Sequence, residues 1–192
     1  MHLRLEKYDA PVSPLLIVTD LDGKLRALEF ADHEARMHRL LSEHYGEYQL
    51  QPGTAPKTIL SALDEFFAGN LAAIESIEVA TGGTPFQRSI WRALRKIPGG
   101  ATISYGQLAV RLNRPSASRA VGAANGANPI AIVVPCHRVI GANGTLTGYG
   151  GGLPRKRWLI DHERQYAAAP RNWNGPIRSK PRRIAQLRLV TA

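Results

Sequence analysis

A chain of 192 residues, 44% hydrophobic and 21% charged, has the size and composition of one large or two small soluble domains. No apolar run approaches the roughly 20 residues that span a bilayer, and the leading MHLRLEKYDAP holds no apolar core of signal-peptide length. A single cysteine builds neither an internal disulfide nor a cysteine-rich zinc site, so the expected compartment is the reducing cytoplasm.

Residues 1–80 read as a small α/β unit. The apolar run LLIVT (15–19) suits a buried strand, Asp20-Leu21-Asp22-Gly23 signals a turn, and Leu25 to Phe30 returns as the second arm of a hairpin. His33 to Tyr45 changes to helical spacing through Met37, Leu40, Leu41 and His44. Gly46 to Pro56 reads as loop. Lys57 to Ala68 reads as a helix with Leu60, Leu63, Phe66 and Phe67 inward and Gly69 as its stop, and Ser76 to Ala80 as a further strand. His33, His38 and His44 share no metal-ligand spacing on one face, and nothing in this stretch points to chemistry.

Charge changes sign along the chain. Residues 1–80 hold 7 Lys+Arg against 13 Asp+Glu, residues 81–165 hold 12 against 2, and residues 166–192 hold 6 basic residues and no acidic one. The basic part suits a polyanion; the plainer reading is charge kept for solubility.

The boundary is placed at Thr81-Gly82-Gly83. Thr84-Pro85-Phe86-Gln87 combines a cap, a first-turn proline and a capping box, with Phe86, Ile90, Leu94 and Ile97 as the inward stripe. Ser104-Tyr105-Gly106-Gln107 is a second capping box. Asn113-Arg114-Pro115 makes a turn, and Ser116 is expected to cap a third helix running to Asn125 with Gly126 as its stop. Two short helices joined this way are a candidate helix-turn-helix. The third helix is built of small residues, with Arg119 and Asn125 its reaching polar groups. Major-groove reading wants several long side chains, so this helix suits the minor groove and low sequence preference, or else close helix packing.

Asn128-Pro129 breaks that helix. The apolar run Ile130 to Val134 then reads as buried, with Ile132 to Val134 as a core strand ending at Pro135, so Cys136 sits where regular structure stops. A lone cysteine is as a rule an inert small hydrophobe. Against that, His137 and Arg138 bring positive charge that favours a thiolate, and a histidine can take a thiol proton. Glu163 is one of two carboxylates in the basic segment: either a solvated helix residue or the group that orients the histidine. The glycines at 148 and 150–152 lack the Lys-Ser/Thr of a P-loop and the GxGxxG spacing, so no nucleotide site is expected; they allow close backbone approach to a small flat ligand. Pro154 to His162 reads as a closing helix.

VPCHRVIG with the preceding NPI, SYGQLA, SRAVGAANG, GYGGG and WLIDHE together resemble the O6-alkylguanine-DNA alkyltransferases, the bacterial constitutive type most closely. The resemblance spans Thr81 to Glu163 and includes Phe67 to Leu71. It implies an α/β (α+β) fold: a small ribonuclease H-like domain over 1–80, then a winged-helix-like DNA-binding and alkyl-transfer domain over 81–167. Residues 168–192 extend past the usual end as a basic tail, expected to be flexible and to add phosphate contacts.

By position, the resemblance implies that Cys136 accepts an alkyl group from O6 of guanine (and O4 of thymine), used once. His137 looks like the base that takes the thiol proton through a water, Glu163 like the residue holding His137, and Tyr105 like the tyrosine donating to guanine N3. Arg119 resembles the arginine that fills the space of a flipped nucleotide, within a DNA-facing set of Ser116, Ala117, Ser118, Ala120 and Asn125. Backbone groups at Tyr149 and Gly150 match positions touching O6, the carbonyls of Cys136 and Val139 match those accepting from the 2-amino group, and Asn128 looks like the brace of the turn. Ala131 stands where some relatives have a second proline, implying a roomier pocket. Gly150 replaces a serine of some relatives. The zinc-site cysteine of some relatives is missing, so neither metal nor cofactor is expected. The implied partner is double-stranded DNA containing O6-alkylguanine, bound by a monomer, with cooperativity left open. A binding-only relative that recruits other repair factors would lack the acceptor cysteine; a winged-helix regulator would want a longer-armed recognition helix; a turnover cysteine hydrolase would leave the basic half unexplained.

Overall fold

The computed structural model of the chain describes residues 1–167; the basic tail, 168–192, lies outside the described residues, as do the flexibility and phosphate contacts expected of it. The hairpin forms as expected, from β2 (Leu15–Asp20) and β3 (Leu25–Phe30), antiparallel around the 21–24 turn. Every residue of β2 is buried because both faces are covered. Leu15 and Ile17 face the main core, whereas Leu16 and Val18 face α1 (Glu34–Tyr45) through Met37 and Leu41.

The sheet is larger than the hairpin. β1 (His2–Tyr8) lies antiparallel to β2, and β4 (Gln49–Pro52) joins the far edge parallel to β1, giving the order β3-β2-β1-β4. β4 corrects the loop expected over 46–56. Its burial pattern is mostly exposed, so as a short edge strand it carries little apolar signal. The strand expected over Ser76–Ala80 is reduced to a single bridge between Val79 and Leu25, preceded by a 3-10 turn at Ala73–Ser76.

α2 (Lys57–Phe67) buries Ile59, Ala62, Leu63 and Phe66, with Leu60 and Phe67 half-buried. α3 (Pro85–Leu94) and α4 (Tyr105–Arg111) start at the two capping boxes, both complete: Thr84 and Ser104 accept from the Gln87 and Gln107 N–H groups, and the two glutamines reach back. The third helix starts later than expected. Pro115–Ala117 is a 3-10 turn and α5 runs Ser118–Gly126, with Ala117 at its cap position and no side-chain cap bond, so Ser116 does not cap it. The closing helix, α6, runs Leu153–Tyr166, one turn beyond the expected end, and so includes Glu163. One continuous core holds Leu15, Leu28 and Phe30 of the sheet together with Trp91 of α3, Val121 of α5 and Leu159 of α6.

Two short pairings set the geometry that follows. β5 (Ile103–Ser104) and β6 (Val139–Ile140) pair in parallel, which lays the start of α4 beside the segment after Cys136. In addition, the Trp91 indole N–H donates to the Ala124 carbonyl at 2.8 Å, fixing α5 on α3. At Gly151 the backbone passes against the Phe30 ring, and a Cβ there would fall inside contact distance of it. Gly151→Ala should therefore shift the 148–152 loop and cost about 1–3 kcal/mol by overpacking, read as a lowered midpoint in urea unfolding.

Candidate active site

Ile130 to Val134 is buried as expected but is not a strand. Only Ile130 bridges to the sheet, at Leu28. The chain then makes a three-residue turn, Val133 N–H to Ala131 carbonyl at 2.6 Å, centred on Ile132 at φ 65. A second follows, Cys136 N–H to Val134 carbonyl at 2.8 Å, centred on Pro135 at φ −79, ψ 67, the values of an inverse γ-turn. A β-branched residue in the left-handed region costs about 1–3 kcal/mol and persists only where its surroundings over-determine it. Here they do: Asn128 Nδ2 donates to the carbonyls of Ile130 (3.1 Å) and Val134 (2.8 Å), and its Oδ1 accepts from the Ile130 N–H at 3.1 Å. The side chain expected to brace this turn closes it from both ends, and Ile132 is fully buried.

Cys136 opens a 3-10 turn, Cys136–Arg138, with all three residues buried. His137 Nε2 lies 2.8 Å from Glu163 Oε1. Arg138 reaches the same carboxylate through Nε (3.1 and 3.0 Å) and Nη2 (2.7 Å), and its Nη1 donates to the Ile97 carbonyl. The Gly100 N–H donates to Glu163 Oε2 at 3.0 Å. Burial alone would push the Glu163 carboxyl up, but Arg138 and His137 hold it well below the usual carboxylate range. Burial pushes His137 down against the pull of Glu163.

The protonation states follow. Glu163 is ionised and only accepts, so the neutral His137 donates from Nε2 and carries its lone pair on Nδ1. That Nδ1 is buried with no partner among the described residues, and so are the Tyr149 hydroxyl and Asn125 Oδ1. Unpartnered buried polar atoms are few in a folded protein; here three lie on Cys136's own turn or on residues electrostatically coupled or hydrogen-bonded to Cys136.

The thiol departs from the sequence expectation. Burial pushes Cys136 up, outweighing the Asn128 side chain and the charges of Arg36 and Lys156. Arg138 does not promote a thiolate, because its charge is neutralised on Glu163. At rest Cys136 is a protonated thiol beside a neutral base.

Tyr105 begins α4, and burial raises its pKa, offset by the Thr147 and Asn125 side chains. Val139 and Ala131 are buried next to the cysteine turn. Arg119, Ser116 and Ala120 are exposed on the α4–α5 unit, with Ala117 and Ser118 half-buried. Asn125 departs from this surface set: it is 4% exposed, and its Nδ2 donates to the Cys136 carbonyl at 3.4 Å.

Three charged residues were not legible as part of the site. Lys156 is fully buried, donates to the carbonyls of Thr147 (2.6 Å) and Gly148 (3.4 Å), and is brought down by burial to about 8. It precedes Glu163 by seven residues, two helical turns, so the inward face of α6 could have revealed it. Glu29 and Arg36 correct the reading that residues 1–80 carry no chemistry. The buried Glu29 pairs with the half-buried Arg36, and Arg36 donates to the carbonyls of Gly126 (2.6 Å) and Asn128 (3.3 Å) and packs on Gly150. An acid within the apolar strand LRALEF was the available signal.

Over 165 residues the chain is 56% identical to the methylated-DNA–protein-cysteine methyltransferase of Salmonella typhimurium, a match covering 85% of this chain and 96% of that relative. The chain belongs to the methylated-DNA–protein-cysteine methyltransferase family. A methyltransferase of the same name from Methanosarcina acetivorans is 41% identical over 156 residues, 81% of this chain and 95% of that one. The family model described as "6-O-methylguanine DNA methyltransferase, DNA binding domain" matches residues 85–165, the stretch from α3 to the end of α6. The crystal structure of Mycobacterium tuberculosis OGT in complex with DNA superposes with a TM-score of 0.71 at 40% identity, covering 88% of this chain and 96% of that chain. The mixed α/β architecture is thus that of this methyltransferase family.

Two outcomes test the Glu163 network. Glu163→Gln leaves the Arg138 guanidinium buried without a counter-charge and should cost about 3–5 kcal/mol in denaturant unfolding. The second concerns pH. The folded pKa of His137 is depressed, so the unfolded chain binds the extra proton first. Its contribution to stability is complete above its ordinary value of about 6.5 and is lost as pH falls through the lower folded value. The unfolding midpoint should fall as pH drops below about 6.5, and less steeply in His137→Gln.

Proposed function

We propose that this protein repairs alkylated DNA by moving an alkyl group from O6 of guanine to its own Cys136. What carries the reading is the neutral His137, locked to Glu163 at Nε2 with a buried, unpartnered Nδ1, next to the sole thiol of the chain. His137 Nδ1 takes the thiol proton through one water. The sulfur attacks the alkyl carbon, the carbon–O6 bond breaks, and its electron pair returns to the purine. Tyr105 donates to ring N3 as that charge develops, and the proton ends on the restored guanine, so atoms and charge balance. The imidazolium that forms in passing is stabilised by Glu163. Because burial holds the resting thiol protonated, the nucleophile forms only with the base and substrate in place.

The target atom is stacked inside a duplex, so the nucleotide must be extruded, at a cost of a few kcal/mol that is smaller for a damaged base. The exposed Arg119 on a helix of small residues suits filling the space left behind, and the same helix suits a minor groove read with little sequence preference. O4-alkylthymine is a second substrate on this reading. Residues 1–80 form a ribonuclease H-like support, and residues 81–167 the winged-helix-like unit that binds DNA and transfers the group. The protein acts as a monomer in the cytoplasm. The thioether left on Cys136 carries no good leaving group, so each molecule reacts once.

The test is to mix the protein with duplex DNA carrying O6-methylguanine and to map the modified peptide by mass. One methyl per protein on the Cys136 peptide, absent in Cys136→Ser, is the expected outcome. Lesion binding without modification would reject transfer in favour of recognition alone, and repeated turnover would reject single use.

A further inference from the structure

Asn125 sits near the end of α5, yet its side chain is directed inward. It bonds the Cys136 carbonyl through Nδ2 and approaches the Tyr105 hydroxyl. Its Oδ1 is buried with no partner among the described residues. The orientation of the amide is set by its neighbour: exchanging the two ends would put the amide oxygen against the carbonyl oxygen of Cys136, two acceptors face to face. The site therefore holds a fixed hydrogen-bond acceptor that no group of the described protein satisfies, on a helix outside the catalytic turn.

The groups that Asn125 touches define what it faces. On the reading above, the Tyr105 hydroxyl meets ring N3 and the Cys136 carbonyl meets the 2-amino group, adjacent positions on one edge of the extruded guanine. The donor on that edge is the 2-amino group. On the family resemblance, one of its N–H bonds goes to the Val139 carbonyl. The other meets the Cys136 carbonyl, one of whose two lone pairs Asn125 Nδ2 already occupies, which leaves room for the sharing of that N–H with the amide oxygen.

We propose that Asn125 is a specificity-determining residue, whose Oδ1 accepts from the 2-amino group of the extruded base while its Nδ2 holds the Cys136 carbonyl in register. The inference rests on the transfer reading above. It has a consequence for substrate choice. A pyrimidine such as O4-alkylthymine places a carbonyl oxygen, an acceptor, where guanine places a donor, and Asn125 Oδ1 opposes it. An apolar residue of the same shape at 125 should therefore lose guanine preference from both directions.

The probes are duplexes carrying O6-methylguanine or O6-methylhypoxanthine, which differ only in the 2-amino group. Single-turnover methylation of Cys136 is timed for the parent protein and for Asn125→Leu, with thermal unfolding of each. The guanine-to-hypoxanthine rate ratio should fall about 5-fold in N125L, the scale of one hydrogen bond. A merely structural role slows both duplexes alike, and an unchanged ratio overturns the proposal. Should N125L not fold, Asn125→Ser reads the same ratio, in which stability cancels. If the parent protein methylates Cys136 from neither duplex, the transfer reading fails and this inference with it; parent transfer with an unaltered variant ratio removes the Asn125 role alone.

Discussion

The carboxylate of Glu163 is the point on which the site depends. It is 1% exposed and gathers three parts of the chain: the Gly100 N–H after α3, His137 and Arg138 on the cysteine turn, and its own helix α6. A buried carboxylate is costly unless nearly every lone pair is used. Here two cationic or polar side chains and a backbone donor share it, and burial, with a smaller push from the Arg138 charge, keeps His137 neutral against the pull of Glu163.

Burial then sets the reactivity of the thiol. The sequence places His137 and Arg138 beside Cys136, which suggests a standing thiolate. In the fold, Arg138 points away into the Glu163 pair, and desolvation dominates. The result is a protonated thiol one residue from an imidazole whose Nδ1 has no partner among the described residues, which is the arrangement the proposed transfer uses. An exposed thiolate would be lost to oxidants or stray electrophiles.

The first half of the chain shapes this site as well as covering it. Arg36, paired with Glu29, ties α1 to the carbonyls at the end of α5 and to the backbone at Gly150, while the Phe30 ring packs on Tyr149 and against Gly151. Lys156 holds the other side of the same glycine-rich loop through Thr147 and Gly148. Two cations, one from each half, thus anchor this backbone: the buried Lys156 and the half-buried Arg36.

The sequence by itself determined the parts whose physics is local. The hairpin, the two capping boxes, α2 and the inward stripe of α3 follow from periodicity and from side chains that satisfy nearby N–H groups, and the family is legible in short motifs around Cys136. What only the tertiary structure decided involves partners far apart in the chain. Val133 and Val134 look like strand residues, yet the Asn128 side chain and two γ-turns bend the segment. Asn125 looks like a residue reaching for DNA, yet the start of α4 and the cysteine turn draw it inward. Arg36 carries no local signal, because the carbonyls it serves lie some 90 residues on in the sequence. Local spacing encodes elements, whereas the charge state and direction of a buried group depend on which distant segments exclude water from it.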